Sequence, residues 1–193
     1  MTAPVPTVKR NSNSKFRKRP RRFDAKTAEC TVFTFKEGLL SAVAHDLKIA
    51  VTEFEIEVNE ADRSVRARFD PSSLRVLTAM RDGKESPREL SEANKKEIER
   101  NIVRDVLLPD KHPQVRFESK KTEQAEVGYT VRGVLTLCSK KKDLTVSVRK
   151  ERKHYVAEAT VHQPDFGIRP FSAMMGTLRV KADVLVRVRV PAE

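Results

Sequence analysis

The chain has no tryptophan, only two tyrosines, two cysteines and six glycines in 193 residues. The two cysteines, Cys30 and Cys138, stand far apart with no C-x-x-C pair. That excludes a disulfide framework and a thioredoxin-type motif, and leaves two reduced, mostly buried thiols. The scarcity of glycine leaves little room for a phosphate-cradling loop. Neither GxxxxGK[ST] nor GxGxxG occurs, and the GxSxG and HExxH signatures of hydrolases are also missing. The four histidines, His45, His112, His154 and His162, have no metal-ligand spacing with the cysteines. Neither a metal nor a cofactor is expected, and no catalytic residue is assigned. His45-Asp46 resembles a base beside its orienting carboxylate, but neighbouring side chains on a strand point to opposite faces. No run approaches the roughly 18 apolar residues of a membrane-spanning helix. The opening segment lacks the apolar stretch of about 7–15 residues that a secretory signal carries. On these grounds a cytoplasmic location is expected.

What the chain does have is charge, at 34% of residues, with a net value of +12. That charge is concentrated. Residues 1–22 hold Lys9, Arg10, Lys15, Arg17, Lys18, Arg19, Arg21 and Arg22 with no acid, which leaves +4 for residues 23–193. With its Pro, Ser and Asn content, residues 1–22 read as a disordered basic arm, and 23–193 as one folded domain.

From residue 29 the apolar residues recur with period two, the mark of strands with one buried and one wet face. Phe33 and Phe35 share a face, as do Val65, Ala67 and Phe69, then Val115 and Phe117, and then Val127, Tyr129, Val131, Leu135 and Leu137. Leu144–Val148 and Tyr155–Val161 continue the pattern. In the last strand Leu178, Val180, Ala182, Val184, Val186, Val188 and Val190 alternate with mostly charged residues. Leu47, Ile49 and Val51 are apolar at odd positions, then Phe54, Ile56 and Val58 at even ones, a phase flip that predicts a β-bulge. The pattern predicts an all-β fold: an antiparallel, lipocalin-like up-and-down barrel of about eight strands, with a β-sandwich as the alternative. One or two helices are expected between the early and late strands. Ser86-Pro87-Arg88-Glu89 has the form of a capping box, Ile98, Ile102 and Val106 form a stripe, and Pro109 and Pro113 end the helix. A barrel of this size either packs solid or encloses an apolar cavity for one small ligand.

Five motifs extend that reading. They are Leu40-Ser41-Ala42-Val43-Ala44-His45-Asp46-Leu47, Arg81-Asp82, the run from Lys111-His112-Pro113 to Phe117-Glu118-Ser119, Gly133-Val134-Leu135-Thr136-Leu137, and Asp165-Phe166-Gly167-Ile168. In this order and spacing, over about residues 27–190, they resemble the YceI-like family of lipocalin-like, polyisoprenoid-binding barrels. The departures are Cys138-Ser139 where the family has His-Gly, then Lys140, Lys141 and Lys142, and Gln163-Pro164 before Asp165. The stretch Glu92–Arg104 is longer than usual. The resemblance implies a lumen for a long isoprenoid or acyl lipid, held by a carrier or store rather than an enzyme. The apolar wall would then include Phe33, Phe35, Phe54, Phe69, Phe117, Leu135, Val146, Phe166 and Val184. His45, Arg81, Asp82, Asp165 and Arg169 would be polar groups at the mouth, although Arg81 and Asp82 could simply pair with neighbours. In the arm, Lys15, Arg17, Lys18, Arg19, Arg21 and Arg22 could meet an anionic membrane surface. They could also meet nucleic acid, or have no partner. A homodimer through the amphipathic helix or a barrel edge is a further expectation.

Overall fold

The computed structural model describes residues 19–37, 45–173 and 178–192. Lys15, Arg17, Lys18 and the Leu40–Ala44 part of the first motif lie outside the described residues. No helix among the described residues is long and apolar enough to cross a membrane.

Strict alternation produces strands wherever it occurs. They are β1 (Arg21–Asp24), β2 (Glu29–Thr34), β3 (Lys36–Glu37), β4 (Asp46–Val51), β5 (Phe54–Asn59), β6 (Ser64–Phe69), β7 (Leu74–Arg81) and β8 (Lys84–Ser86). After the helical segment come β9 (Val115–Gln124), β10 (Tyr129–Leu137), β11 (Lys140–Glu151), β12 (His154–His162), β13 (Ser172–Ala173), β14 (Leu178–Val180) and β15 (Asp183–Pro191). Among the described residues, twelve of these form one curled antiparallel sheet in the order β1-β5-β6-β9-β10-β11-β12-β15-β2-β4-β7-β8, and β13-β14-β3 form a second. The all-β expectation holds, but twelve strands in the main sheet replace the expected eight. Short strands such as β1 and β8 carry no usable period. Two runs that would each count as one strand are also broken in two.

Arg21 and Arg22, read from the sequence with the arm, open β1 and pair with Val58 and Glu57 of β5. Arg21 donates to the carbonyls of Pro191 and Ala192 at 3.0 and 3.2 Å, and its guanidinium lies 5.0 Å from the Phe23 ring centre.

The phase flip after Val51 has a different origin from the one expected. It is a two-residue corner between β4 and β5 rather than a bulge within a strand. At Thr52, the backbone N–H and the hydroxyl both donate to the Ser73 carbonyl, at 3.1 and 2.8 Å. The Glu53 N–H donates to Ser73 Oγ at 3.0 Å, and the Asp70 N–H to the Glu53 carbonyl at 2.9 Å. The partner run turns at the same place, because Asp70 caps the short 3-10 turn Pro71–Ser73 by accepting from the Ser72 N–H. The true bulges lie elsewhere. Leu77 is the extra residue of β7 opposite Lys48 and Ile49, and Lys120 is the extra residue of β9 opposite Arg132 and Gly133. Leu77 is accordingly exposed.

Outside the curl, charges complement one another across strands: Glu55 sits opposite Arg68, and Arg66 lies between Glu57 and Glu118. Inside lie the apolar rows, including Ile49, Ile56, Ala67, Phe117, Val131 and Leu135, all buried.

The helix α1 spans Glu92–Asn101, and its cap is Ser91, which accepts from the Asn94 N–H. Ser86, the expected cap, ends β8 instead. Its hydroxyl donates to Glu89 at 3.0 Å, so the box motif forms a tight turn and not a helix start. Beyond Asn101 the chain continues as a π-helical turn, Ile102–Leu107, and stops at Leu108 in the left-handed region at φ 48°.

Gly133 faces the β9 bulge across the ladder. A Cβ there would come within 2.4 Å of the Glu118 carbonyl and 2.6 Å of the Phe117 ring. Gly133→Ala is therefore expected to lower unfolding stability by about 1–3 kcal/mol, read as a lower urea midpoint with an unchanged slope.

Candidate functional site, an apolar cavity

The inward rows do not meet at the centre of the curl. They surround a cavity of about 810 Å³, whose wall draws on residues from β1–β7, β9–β12, β14 and β15. Its wall is largely aliphatic, with Leu144, Val146 and Val148 from β11 and Val184, Val186, Val188 and Val190 from β15, and Phe69 and Phe117 add rings. Leu90, just before the helix cap, and Ile98, Ile102, Val106 and Leu107 of the helical segment join the same wall. The stripe read from the sequence thus points into the cavity.

Five of the nine expected wall residues line the cavity: Phe69, Phe117, Leu135, Val146 and Val184. Phe33, Phe35, Phe54 and Phe166 do not. Phe54 is buried with its ring centre 6.1 Å from that of Phe69, and Phe166 is buried in the 3-10 turn Gln163–Phe166. In β2 the face is the opposite of the one expected: Cys30, Val32 and Thr34 line the cavity. Phe33 instead lies beneath the Arg187 guanidinium, 4.9 Å from its ring centre, and Arg187 Nε is held by Glu158 at 2.6 Å. The aromatic ring is covered by a cation rather than by the core. The register holds a clue to this: Val32 stands opposite Val186 and Ile49, both of which line the cavity.

Polar groups gather at both ends of the wall. One end has Lys36, His45, Asn101, Gln163 and Arg179, and the other has Arg21, Asn59, Arg63, Thr122, Tyr129 and Tyr155. His45 and Arg81 converge on Glu89, with Nε2 to Oε2 at 2.9 Å and the guanidinium to Oε1 at 2.7 Å. Glu89 is half-buried, accepts from Ser86 Oγ as well, and precedes the wall residue Leu90. Its role here was not anticipated, because its spacing from Ser86 fitted a helix cap. Asp46 does not join His45; it accepts from the Lys36 N–H at 2.7 Å. Asp82 is exposed in a turn at φ 50°, and Asp165 and Arg169 are exposed on the far side of the 3-10 turn. These three do not converge with His45 and Arg81. Among the described residues no group of His, Cys, Asp and Glu is arranged to hold a metal ion.

A curled antiparallel sheet around an apolar cavity with a few polar groups in its wall has the form that small-molecule sites commonly take. The model of the YceI-like domain matches residues 22–192, and the chain belongs to that family. The crystal structure of BcnA from Burkholderia cenocepacia is similar at 15% identity and a TM-score of 0.59, over 88% of this chain and 99% of that one. The YCEI protein of Campylobacter jejuni is similar at 14% identity and a TM-score of 0.50, over 75% and 82%. A polyisoprenoid binding domain from Saccharophagus degradans aligns more loosely, at 9% identity and a TM-score of 0.47, over 85% and 94%. None of the curated proteins compared is significantly similar in sequence.

Cys30 gives the cavity wall a chemical reporter. Burial pushes its thiol up to about 12, whereas Cys138 is only partly buried and its thiol is raised less. At pH 8 Cys30 should resist alkylation by iodoacetamide in the native protein and react fully once unfolded, as mass spectrometry would show. The same shift should cost stability as pH rises. The neutral thiol is favoured in the fold, so its contribution is complete below the unfolded value near 9 and is lost between there and about 12.

Proposed function

We propose that this protein holds one long apolar lipid chain, an isoprenoid or acyl species, inside its curled sheet, and acts as a carrier or store rather than an enzyme. The observation that carries this reading is the cavity of about 810 Å³ with its largely aliphatic wall, a volume in the upper part of the ligand-site range. Family membership agrees with it. The finer architecture we read is a barrel. β4 and β5 are halves of one run, as are β6 and β7, so the order of the sheet begins and ends on one bent hairpin.

Each methylene removed from water is worth about 0.8 kcal/mol, so a chain of ten would supply roughly 8 kcal/mol before the cost of ordering it. Such a wall selects for length and cross-section rather than for polar pattern. The head group would sit at a polar end, where His45 is already held by Glu89 beside Arg81. Asp82, Asp165 and Arg169 would serve, if at all, as outer charges. Lys15, Arg17, Lys18 and Arg19 would act as an electrostatic tether to an anionic surface.

Native mass spectrometry followed by organic extraction tests the reading. The expected result is a one-to-one adduct that extracts as an isoprenoid or acyl species. A bare chain mass, with no uptake from added lipids, would overturn it. The absence of native tryptophan allows a second measurement. Val146→Trp should report lipid entry by a blue shift in its emission, and it should reject the longest chains that the parent accepts.

A further inference from the structure

The turn between β10 and β11 carries a feature that ligand holding does not use. Cys138 and Ser139 both have positive φ, 46° and 61°, which folds the chain back sharply into the start of β11, where Lys140 and Lys142 stand on one face and Lys141 on the other. All three are exposed, and none makes an ion pair with a described residue. The turn is fastened to the end of the helical segment. His112 Nδ1 lies 2.9 Å from Ser139 Oγ, and Cys138 Sγ is 3.8 Å from the Leu107 carbonyl. Other cations join this sector. Lys111 adjoins His112. Thr136 stands between Arg116 and Lys141 across the sheet. The Lys140 ammonium lies so close over Gly167, two residues before Arg169, that a Cβ there would come within 2.7 Å of it. Six cations therefore stand in this sector beside Asp110 and Asp165, while Asp143, next to Lys142, is already paired with Lys120 at 2.8 Å.

This sector adjoins the cavity. Leu107, Val115, Leu137 and Ile168 belong to the wall, and the residues that follow them directly are Leu108, Arg116, Cys138 and Arg169. Leu108 is also unusual, being a large apolar side chain 36% exposed on a left-handed backbone. The carbonyl of Leu108 accepts from the N–H groups of Lys111 and His112 at 2.9 and 3.0 Å, which holds that conformation in place.

We propose that this rim docks on an anionic phospholipid surface, with the lysine turn against the head groups and Leu108 inserted at the boundary with the acyl chains. Cations around one exposed apolar side chain complement such a boundary. Nucleic acid fits less well, because no aromatic stacking platform accompanies the charge. Docking here would place an end of the cavity directly against the source of its ligand. The rim belongs to the folded domain. The proposal does not require the cavity to be filled.

The test is co-sedimentation of the full chain with vesicles of phosphatidylcholine plus phosphatidylserine, against phosphatidylcholine alone, at low and high salt. The protein should partition only onto the anionic vesicles. K140Q/K141Q/K142Q together should weaken partition about a hundredfold. Leu108→Asn, which suits a left-handed backbone, should weaken it about tenfold without lowering the unfolding midpoint. Neutralising Lys15, Arg17 and Lys18 should leave the loss caused by the lysine-turn variant in place. An absence of binding to anionic vesicles would overturn the proposal, as would equal binding of parent and lysine-turn variant. Lysine-dependent binding of duplex DNA without vesicle binding would assign the face to nucleic acid and overturn it too.

Discussion

The architecture turns on one corner built around the buried Ser73. Ser73 takes two hydrogen bonds from Thr52 at its carbonyl and one from Glu53 at its hydroxyl, while Asp70 ties back to Glu53. Leaving the buried groups of Ser73 unpaired would cost about 1–3 kcal/mol each, so the two runs bend together or not at all. The bend sends one half of the hairpin to β2 and the other to β9. A single flat sheet could not satisfy both edges. Curling follows, and with it a hollow whose width is set by the number of strands rather than by the packing of facing side chains.

How much of this the sequence reveals depends on how local the cause is. The alternation from Leu178 to Val190 fixes the inward row of β15 without any knowledge of its neighbours, and the same is true of Val65–Phe69 and Leu144–Val148. The face of β2 is not a local matter. Two phenylalanines outweigh Cys30 and Val32 in any reading by hydrophobicity, yet an Arg187 from a distant strand covers Phe33 from outside. The corner at Thr52 shows only as a change of phase, which a bulge would mimic. The real bulge at Leu77 sits in Leu74–Met80, where too many residues are apolar for a period to show. Ser86 and Ser91 both suit a helix start, and only the hydrogen bond to Asn94 separates them. Glu89 was hidden for the same reason, since its partners His45 and Arg81 come from other strands.

The two ends of the cavity differ in how they are built. At one end Arg21 is committed to the backbone of Pro191 and Ala192, so its charge is tied to the chain terminus. At the other, the helical segment packs beside β7 and is pinned near its entry by Glu89 and near its exit by the contacts of Cys138 and His112. Between those pins Glu99 accepts from the Val76 N–H of β7 at 2.8 Å, and the apolar residues of the segment are only partly buried. Such an element opens more readily than a paired strand.

The free edges of the large sheet are β1 and β8, four and three residues long, with the sequences Arg-Arg-Phe-Asp and Lys-Glu-Ser. An exposed edge is normally a template on which a further strand can add, and through it sheets grow into fibrils. Here that template is too short to hold a foreign strand and carries charge where one would have to dock. Among the described residues, the edges of the large sheet therefore offer little backbone ladder for one copy to extend onto another.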